Sequence, residues 1–228
     1  MIDVLTQIPF EPDVTALLKR AHVKPGTADA ATFTALVDRA RTLARPKALY
    51  RESFVQERSG DRVWIDDTAF TSRALHMNLN DVVRVFPYVA TCGRELDQVA
   101  PPSGDYLAVF WWDVIKGAAL EQAVAFLNET LQQRYLLGKT SRMSPGSGDA
   151  DVWPIEQQWD LFALLGDVEQ QIGVVLTDWY LMVPNKTISG VLFPTEVEFR
   201  ACQVCHREGC PNRRAPFDPE LWQAIQGR

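Results

Sequence analysis

The sequence lacks the features that mark several common functional classes. It has no apolar run long enough to span a membrane, and its formal net charge of −6 comes without a long basic stripe. The first absence is typical of a soluble protein with no membrane partner, and the second argues against nucleic acid as a partner. The first thirteen residues are acidic and have no basic region before an apolar run. We therefore expect no signal peptide and a cytoplasmic location.

Histidine is scarce, with three residues in 228, and no arrangement of side chains predicts a general acid, a general base or a nucleophile. His22 and His76 have no candidate partner in the sequence. Asp149, Glu156 and Asp178 are interpreted as solvated or capping carboxylates. The catalytic residues are therefore unknown, and whether the chain is an enzyme stays open.

Cysteine is also rare, but three of the four cysteines lie close together near the C-terminus. Cys202, Cys205 and Cys210 form the pattern C-x2-C-x4-C, with His206 inside it. A disulfide scaffold is not expected in a cytosolic chain of this size. Closely spaced thiolates repel one another, and a bound metal ion or cluster removes that repulsion. The pattern therefore predicts a metal-binding tail.

The tail supplies three thiolates, whereas a [4Fe-4S] cluster needs four ligands. Cys92 is the only other cysteine, and it follows a predicted strand. A tail that folds back onto the end of this strand would complete a set of Cys92, Cys202, Cys205 and Cys210. Tetrahedral zinc is the alternative, with Cys92 or His206 as the fourth ligand. Because His206 directly follows Cys205, we favour Cys92. Free thiols, with Cys92 as a small buried hydrophobic residue, are the third possibility.

The stretch of residues 141–196 has the pattern turn, helix, strand, strand. Its turn begins after Arg142 and contains Ser144, Pro145, Gly146 and Ser147. A helix cannot continue through this run, because proline fixes φ and glycine favours turns. Free backbone amides beside a fixed guanidinium would suit a carboxylate or a phosphate. The turn therefore indicates an anion-binding site.

Periodicity predicts the remaining elements. Apolar residues at helical spacing predict helices over residues 14–21, 32–44, 70–79, 106–138, 154–166 and 221–225. Alternating or β-branched runs predict strands over residues 2–10, 47–58, 62–65, 81–91, 173–177, 179–183 and 187–193. A loop is predicted at residues 101–104, which contain two prolines and a glycine.

An ordered series of motifs runs through the second half of the chain. The order is Arg-x-x-Pro-Gly, an acidic helix ending in Leu-Leu, Ile-Gly-Val-x-Leu-Thr, Met-Val-Pro and Ile-Ser-Gly-x-x-Phe. It resembles the reactivation domain of cobalamin-dependent methionine synthase. It resembles even more the stand-alone versions, which carry Ser-Pro-Gly-x-Gly-Asp and Trp-Pro-x-Glu-Gln-Gln, found here at residues 144–149 and 153–158 with Ala150 and Asp151 as extra residues between them. The family's Thr-x-Gly-x-Glu-Leu is found at residues 91–96, with Cys92 at its variable position. The resemblance covers roughly residues 85–199.

The resemblance implies a site for S-adenosylmethionine. Arg142 matches the family's arginine for the carboxylate of that ligand, and Gly146 matches the adjacent backbone contact. Pro145 and Ser147 complete the matched loop. Ser147 and Leu192 stand where the family has tyrosines, so adenine stacking and methyl-group placement would have fewer partners.

The resemblance also implies a function and an architecture. The family keeps a cobalamin-dependent methyltransferase active by restoring methylcobalamin with one electron and a methyl group, so the expected partner is methionine synthase or another corrinoid methyltransferase that carries the cobalamin. A cluster in the tail would supply the electron. The alternatives are a non-redox docking module with structural zinc, and a protein that uses S-adenosylmethionine directly as a methyl donor. The expected fold is α+β over residues 1–199, a twisted, mostly antiparallel sheet flanked by helices, with residues 200–228 as a cysteine-rich tail packed on it.

Overall fold

The structure is a computed structural model that describes residues 1–99, 104–149, 151–211 and 213–227. The loop predicted at residues 101–104 therefore lies almost wholly outside the described residues, and so does Ala150.

Within these ranges, an eight-stranded antiparallel sheet forms the centre of the molecule, and a separate two-stranded sheet lies beside it. The strands are β1 (Ile2–Leu5), β2 (Lys47–Arg51), β3 (Ser53–Ser59), β4 (Arg62–Ile65), β5 (Thr68–Thr71), β6 (Arg84–Thr91), β7 (Thr140–Met143), β8 (Val175–Leu176), β9 (Met182–Val183) and β10 (Thr187–Pro194). The small sheet consists of β8 and β9.

Strand β6 is the central strand. It pairs with β10 on one side and with the nearly continuous strands β2 and β3 on the other. β7 extends the sheet beyond β10, β1 extends it beyond β2, and the β4–β5 hairpin extends it beyond β3. Thr187 lies opposite Thr91, and Leu192 lies between Phe86 of β6 and Arg142 of β7. The register therefore fixes Arg142 two strands from the centre of the sheet.

The described residues form seven α-helices, which surround the sheet. They are α1 (Val14–Arg20), α2 (Ala28–Leu43), α3 (Arg73–Asn78), α4 (Tyr106–Tyr135), α5 (Gln158–Leu165), α6 (Val168–Ile172) and α7 (Pro219–Gln226). All except α5 begin after an Asp, Ser or Thr whose side chain accepts a hydrogen bond from the first turn. Such caps satisfy amides that have no partner within the helix, so they define where each helix begins. In the described part of the chain, no helix is both long enough and apolar enough to cross a membrane.

Alternation along the strands divides the core into layers. Val89 and Val191 face the side covered by α3, α5, α6 and α7. Tyr88 and Leu192 face the opposite side, where they pack against the second half of α4. The first half of α4 packs instead on α1 and α2, with Trp111 edge-on to Phe33 at 5.8 Å between ring centroids. Helix α4 therefore contributes side chains to two hydrophobic clusters, one with α1 and α2 and one with the sheet.

The α+β prediction, a mostly antiparallel sheet flanked by helices, is confirmed. The helix predicted over residues 70–79 is partly wrong, because β5 continues to Thr71 and α3 starts only after the cap at Ser72. Strand β7 and helix α6 were not predicted, since four or five residues carry too little periodicity to be recognised.

Candidate functional site

A cleft of about 870 Å³ lies between α4 and the sheet. Its floor is formed by Tyr88 of β6 and Ile188 and Leu192 of β10. One wall is α4, and the other consists of β7, the loop after it and the segment that follows β10. The further residues that line the cleft are Gly117, Leu120, Glu121, Val124, Asn128, Thr140, Ser141, Arg142, Ser144, Ser147, Glu198, Phe199, Arg200, Ala201, Cys202 and Arg214.

A second depression, of about 670 Å³, lies along α2 and contains no cationic side chain. Its lining is mostly small residues with the single carboxylate of Asp38. The cleft beside α4 is the better candidate site, because it combines an apolar floor with several convergent polar groups.

Arg142, which the sequence predicts as the anion-binding residue, lies in this cleft. Both carboxylates of the cleft are already paired with arginines, Glu121 with Arg20 at 2.6 Å and Glu198 with Arg200 at 2.8 Å. Arg142 forms no ion pair within the described ranges. The cleft therefore presents a guanidinium whose charge is not balanced by a protein carboxylate.

Tyr88 lines the same cleft as the Arg142 guanidinium. The residue is 1% exposed, and its hydroxyl has no hydrogen-bond partner among the residues that the structure describes. Burial raises the pKa of Tyr88, and the nearby Arg142 guanidinium opposes that shift without making a well-directed hydrogen bond to the hydroxyl. Tyr88 is therefore an uncharged potential donor at neutral pH.

The loop after β7 packs closely on β10 because of a glycine. A Cβ on Gly190 would lie 2.4 Å from the carbonyl oxygen of Met143 and 2.7 Å from the hydroxyl of Ser144. In the space that this glycine leaves, the Ser144 hydroxyl donates a hydrogen bond of 2.6 Å to the Ser189 carbonyl. The glycine in the Ile-Ser-Gly motif thus allows the loop that follows Arg142 to pack against β10.

The expectation of free amides in this loop is wrong for two positions. The Gly146 amide donates to the Trp153 carbonyl at 2.8 Å, and the Ser147 amide donates to the Ser144 carbonyl at 3.1 Å. Gly146 is exposed with φ of +75°, Pro145 is buried, and Ser147 lines the cleft. The loop therefore closes on itself, and Arg142 supplies the charge that attracts an anion.

The Trp-Pro-x-Glu-Gln-Gln motif packs against the loop, and its Trp153 carbonyl accepts the hydrogen bond from Gly146. Trp153 is fully buried. The Gln157 side chain bonds both the amide and the carbonyl of Thr71, each at 2.7 Å, as a strand would. The buried Gln158 amide donates to the Ser189 hydroxyl. These residues position the loop and do not line the cleft.

Ser147 and Leu192, which the sequence resemblance aligns with tyrosines, both line the cleft. Leu192 is a buried floor residue and Ser147 is half-buried on the wall. Sequence reasoning did not find Tyr88 or Phe199, the two aromatic residues that line the cleft. The alternation of β6 was the available signal for Tyr88, since it places this ring on the α4 face.

The C-terminal tail is fastened to the loop by a histidine. His206 Nδ1 pairs with the Asp149 carboxylate, and the His206 amide donates to the same carboxylate at 3.1 Å. The imidazole packs on Phe217 and Trp222, with ring centroids 4.4 and 4.5 Å away. Asp149 is therefore a partner of the tail and not a solvated carboxylate, and one ring nitrogen of His206 is already used.

The three tail cysteines are half-buried, and one of them lies at the cleft. Cys202 lines the cleft, and its Sγ accepts a hydrogen bond of 3.4 Å from the Arg214 amide. The Arg213 guanidinium donates to the carbonyls of Cys202 and Cys205, both at 2.9 Å. The side chain of Arg213 thus holds the cysteine loop together by binding the carbonyl oxygens of the loop.

Cys92 lies elsewhere, in the apolar core formed by α1, α2 and α4. It is fully buried, and its thiol donates to the Gly93 carbonyl at 3.4 Å. Burial raises the pKa of Cys92 to about 12. Among the described residues, which include all four cysteines, no three His, Cys, Asp or Glu side chains are placed to hold a metal ion. The structure therefore does not assemble the predicted set of Cys92, Cys202, Cys205 and Cys210.

The motif around Cys92 has a structural explanation. Gly93 has φ of +91°, and a Cβ there would lie 2.4 Å from the Arg45 carbonyl oxygen. Glu95 pairs with Lys47 at 2.9 Å. These contacts join the segment after β6 to Arg45, which precedes β2, and to Lys47, the first residue of β2. They explain the glycine and the glutamate of Thr-x-Gly-x-Glu-Leu without a ligand.

Comparison with known proteins identifies the fold. No family model and no curated protein matches the chain. Among solved structures it is similar to the MetH reactivation domain bound to AdoHcy (S-adenosylhomocysteine), with a TM-score of 0.60 and 14% sequence identity. The match covers 88% of this chain and 81% of that one. At this identity the likeness shows that the two chains share a fold.

Proposed function

We propose that this chain is an accessory protein for the reductive reactivation of a cobalamin-dependent methyltransferase such as methionine synthase, and that its cleft binds an S-adenosyl compound. The observation that carries the proposal is Arg142. It faces the cleft with no carboxylate partner in the described part of the chain, in a fold shared with a reactivation domain bound to AdoHcy.

The residues of the cleft fit such a ligand. Its volume of about 870 Å³ lies within the usual range of small-molecule sites, roughly 300–1,000 Å³. Arg142 would hold the carboxylate, because a guanidinium binds a carboxylate with two parallel hydrogen bonds. Leu192 and Ile188 offer an apolar surface to the rest of the ligand. S-adenosylmethionine would supply a methyl group, and the side chains of this protein would bind and orient it.

Calorimetric titration tests the ligand. Arg142→Gln should weaken the binding of S-adenosylhomocysteine on the order of 10–100-fold, since hydrogen bonds to a charged group contribute about 1.5–3 kcal/mol. Arg200→Gln is the matched control, because Arg200 lines the same cleft but is already paired with Glu198. Equal binding by Arg142→Gln and the parent would remove the basis of the proposal.

A reconstitution tests the partner. A methionine synthase that lacks its own reactivation domain is prepared with its cobalamin in the Co(II) state and mixed with a chemical reductant and S-adenosylmethionine. Adding this protein should speed the appearance of methylcobalamin in the visible spectrum, and Arg142→Gln should not. If the protein binds S-adenosylmethionine but has no effect on the spectrum, the reactivation proposal fails while the ligand assignment stands.

The proposal includes electron delivery through an iron–sulfur cluster in the tail. What supports it in the tail is one contact to sulfur, the Arg214 amide that donates to Cys202 Sγ at 3.4 Å, and the hydrogen bonds by which Arg213 holds the backbone of Cys202 and Cys205. The fourth expected ligand, Cys92, lies in the apolar core instead, so we assign no electron-transfer step to the tail. A tail that binds zinc would favour the docking module.

Metal analysis separates these possibilities. Protein purified without oxygen is assayed for iron, sulfide and zinc, alongside Cys205→Ala. A coloured protein with iron and sulfide that Cys205→Ala loses would support a cluster in the tail. A colourless protein with one zinc per chain would support a structural site. Protein free of all three would leave the tail as a packing element.

A further inference from the structure

We propose that Tyr88 is a ligand-binding residue of the cleft and that its hydroxyl and the Arg142 guanidinium together hold one carboxylate group. This inference rests on the proposed ligand, because it names the part of that ligand which the cleft recognises. The carboxylate belongs to the amino-acid end of an S-adenosyl compound.

The unpartnered hydroxyl is the first observation. Five buried side-chain polar atoms lack a partner within the described residues, and they belong to Arg51, Ser53, Tyr88, Glu95 and Trp111. Of these, only Tyr88 lines the cleft. Buried polar groups in folded proteins are almost always hydrogen-bonded, so one that faces a cavity without a partner points to an acceptor supplied from outside.

The strand register explains why the hydroxyl and the guanidinium are neighbours. Tyr88 lies directly opposite Gly190 of β10. Because Gly190 has no side chain, the backbone of Met143 and the hydroxyl of Ser144 pack into the space beside it. Arg142 precedes these residues and pairs with Leu192, the next floor residue along β10. Gly190 thus lets the loop after β7 pack beside β10, and the register of β7 on β10 places Arg142 in the same cleft as Tyr88.

The two groups are chemically complementary to a carboxylate. A carboxylate has about four acceptor sites, of which a guanidinium occupies two. A phenol can donate to a third. Both carboxylates of the cleft, Glu121 and Glu198, are paired with other arginines, so neither competes for Arg142. The pair therefore selects an acceptor that carries a full negative charge.

The experiment compares two ligands in three proteins. S-adenosylhomocysteine carries the carboxylate, and 5′-methylthioadenosine keeps the adenosine and the thioether but lacks the amino-acid part. Tyr88→Phe removes only the hydroxyl and keeps the ring. We expect it to weaken binding of S-adenosylhomocysteine about tenfold and to leave binding of methylthioadenosine unchanged. Tyr50→Phe is the control, because its hydroxyl is buried outside the cleft and accepts a hydrogen bond from Arg134 at 2.8 Å.

Thermal unfolding without ligand gives a second readout. Tyr88→Phe should unfold at the same temperature as the parent or higher, since it removes a hydroxyl that has no partner, whereas Tyr50→Phe should unfold at a lower temperature. A lower unfolding temperature for Tyr88→Phe would mean that the hydroxyl is already bonded within the protein, and the inference would be overturned.

The other outcomes are equally decisive. If Tyr88→Phe and the parent bind S-adenosylhomocysteine equally, Tyr88 is not a ligand contact, although the proposed function stands. If Tyr88→Phe loses affinity equally for both ligands, the hydroxyl does not recognise the carboxylate and the inference fails. If the parent binds neither compound, the proposed ligand and this inference fail together.

Discussion

Replacing Cys92 with alanine tests whether this residue is a metal ligand or part of the core. The sequence predicts a ligand, because a [4Fe-4S] cluster needs a fourth thiolate. The structure places the thiol in the apolar cluster around Trp112, with 0% exposure. We therefore expect Cys92→Ala to contain as much iron or zinc per chain as the parent. Cys202→Ala, which changes a tail cysteine beside the cleft, is the comparison that should contain less if the tail binds metal.

The stability of Cys92→Ala has a predicted size and pH dependence. At pH 7.5 the variant should be less stable by about 1–2 kcal/mol, as for the loss of one or two buried methylene groups. The native thiol has its pKa raised from 9.0 to about 12, so the unfolded chain loses the proton first. Stability from this group is therefore fully present below pH 9 and is lost as the pH rises towards 12. At pH 10 the loss is about 1.4 kcal/mol.

Urea unfolding at pH 7.5 and pH 10, followed by tryptophan fluorescence, measures this difference. The stability advantage of the parent over Cys92→Ala should shrink by about 1.4 kcal/mol between the two pH values. All other titrating groups are shared by the two proteins, so their contributions cancel. An advantage that stays constant with pH, or a loss of metal in Cys92→Ala, would refute the placement of Cys92 in the core as a protonated thiol.

Three further predictions concern the loop of the cleft. Gly190→Ala should destabilise the protein by about 1–3 kcal/mol in urea unfolding, because the new Cβ would lie 2.4 Å from the Met143 carbonyl; an unchanged midpoint would contradict this packing. Asp149→Asn should make trypsin cleave the tail faster, because it removes the charge that pairs with His206, and cleavage at the rate of the parent would show that the pair does not hold the tail. Gln157→Leu should cost about 1–3 kcal/mol, since it leaves two strand groups unpaired, and a smaller loss would mean that water replaces both bonds.

The strongly periodic elements of the fold could be predicted from the sequence. The longest helix, α4, and the buried strands β6 and β10 were found near their true bounds. Each buries many apolar side chains in one repeating pattern. Strand β7 was missed because its four residues, Thr140–Met143, lie between a long helix and a turn and have no such pattern. It is a strand because β10 supplies its hydrogen bonds, and pairing between distant segments is not visible in a local pattern.

The site was predictable only where a motif marked it. Arg142 was found from the turn that follows it, and the structure places it in the cleft. Tyr88 was not found, because a tyrosine within a run of buried residues is indistinguishable from a core residue until its hydroxyl is seen to lack a partner. Cys92 could not be assigned either, since the number of residues between cysteines does not determine whether the folded chain brings them together.

The tail contributes to both the core and the cleft. Val204 and Ile225 are buried in the cluster that covers one face of the sheet, and Arg73 of α3 donates to the Ala224 carbonyl at 3.2 Å. On the other face, Cys202 lines the cleft together with Arg142 of β7 and the loop that follows it. Through Ala201 and Cys202, the tail is itself part of the cavity wall. The shape of the cleft therefore depends on the cysteine-rich tail as well as on the sheet.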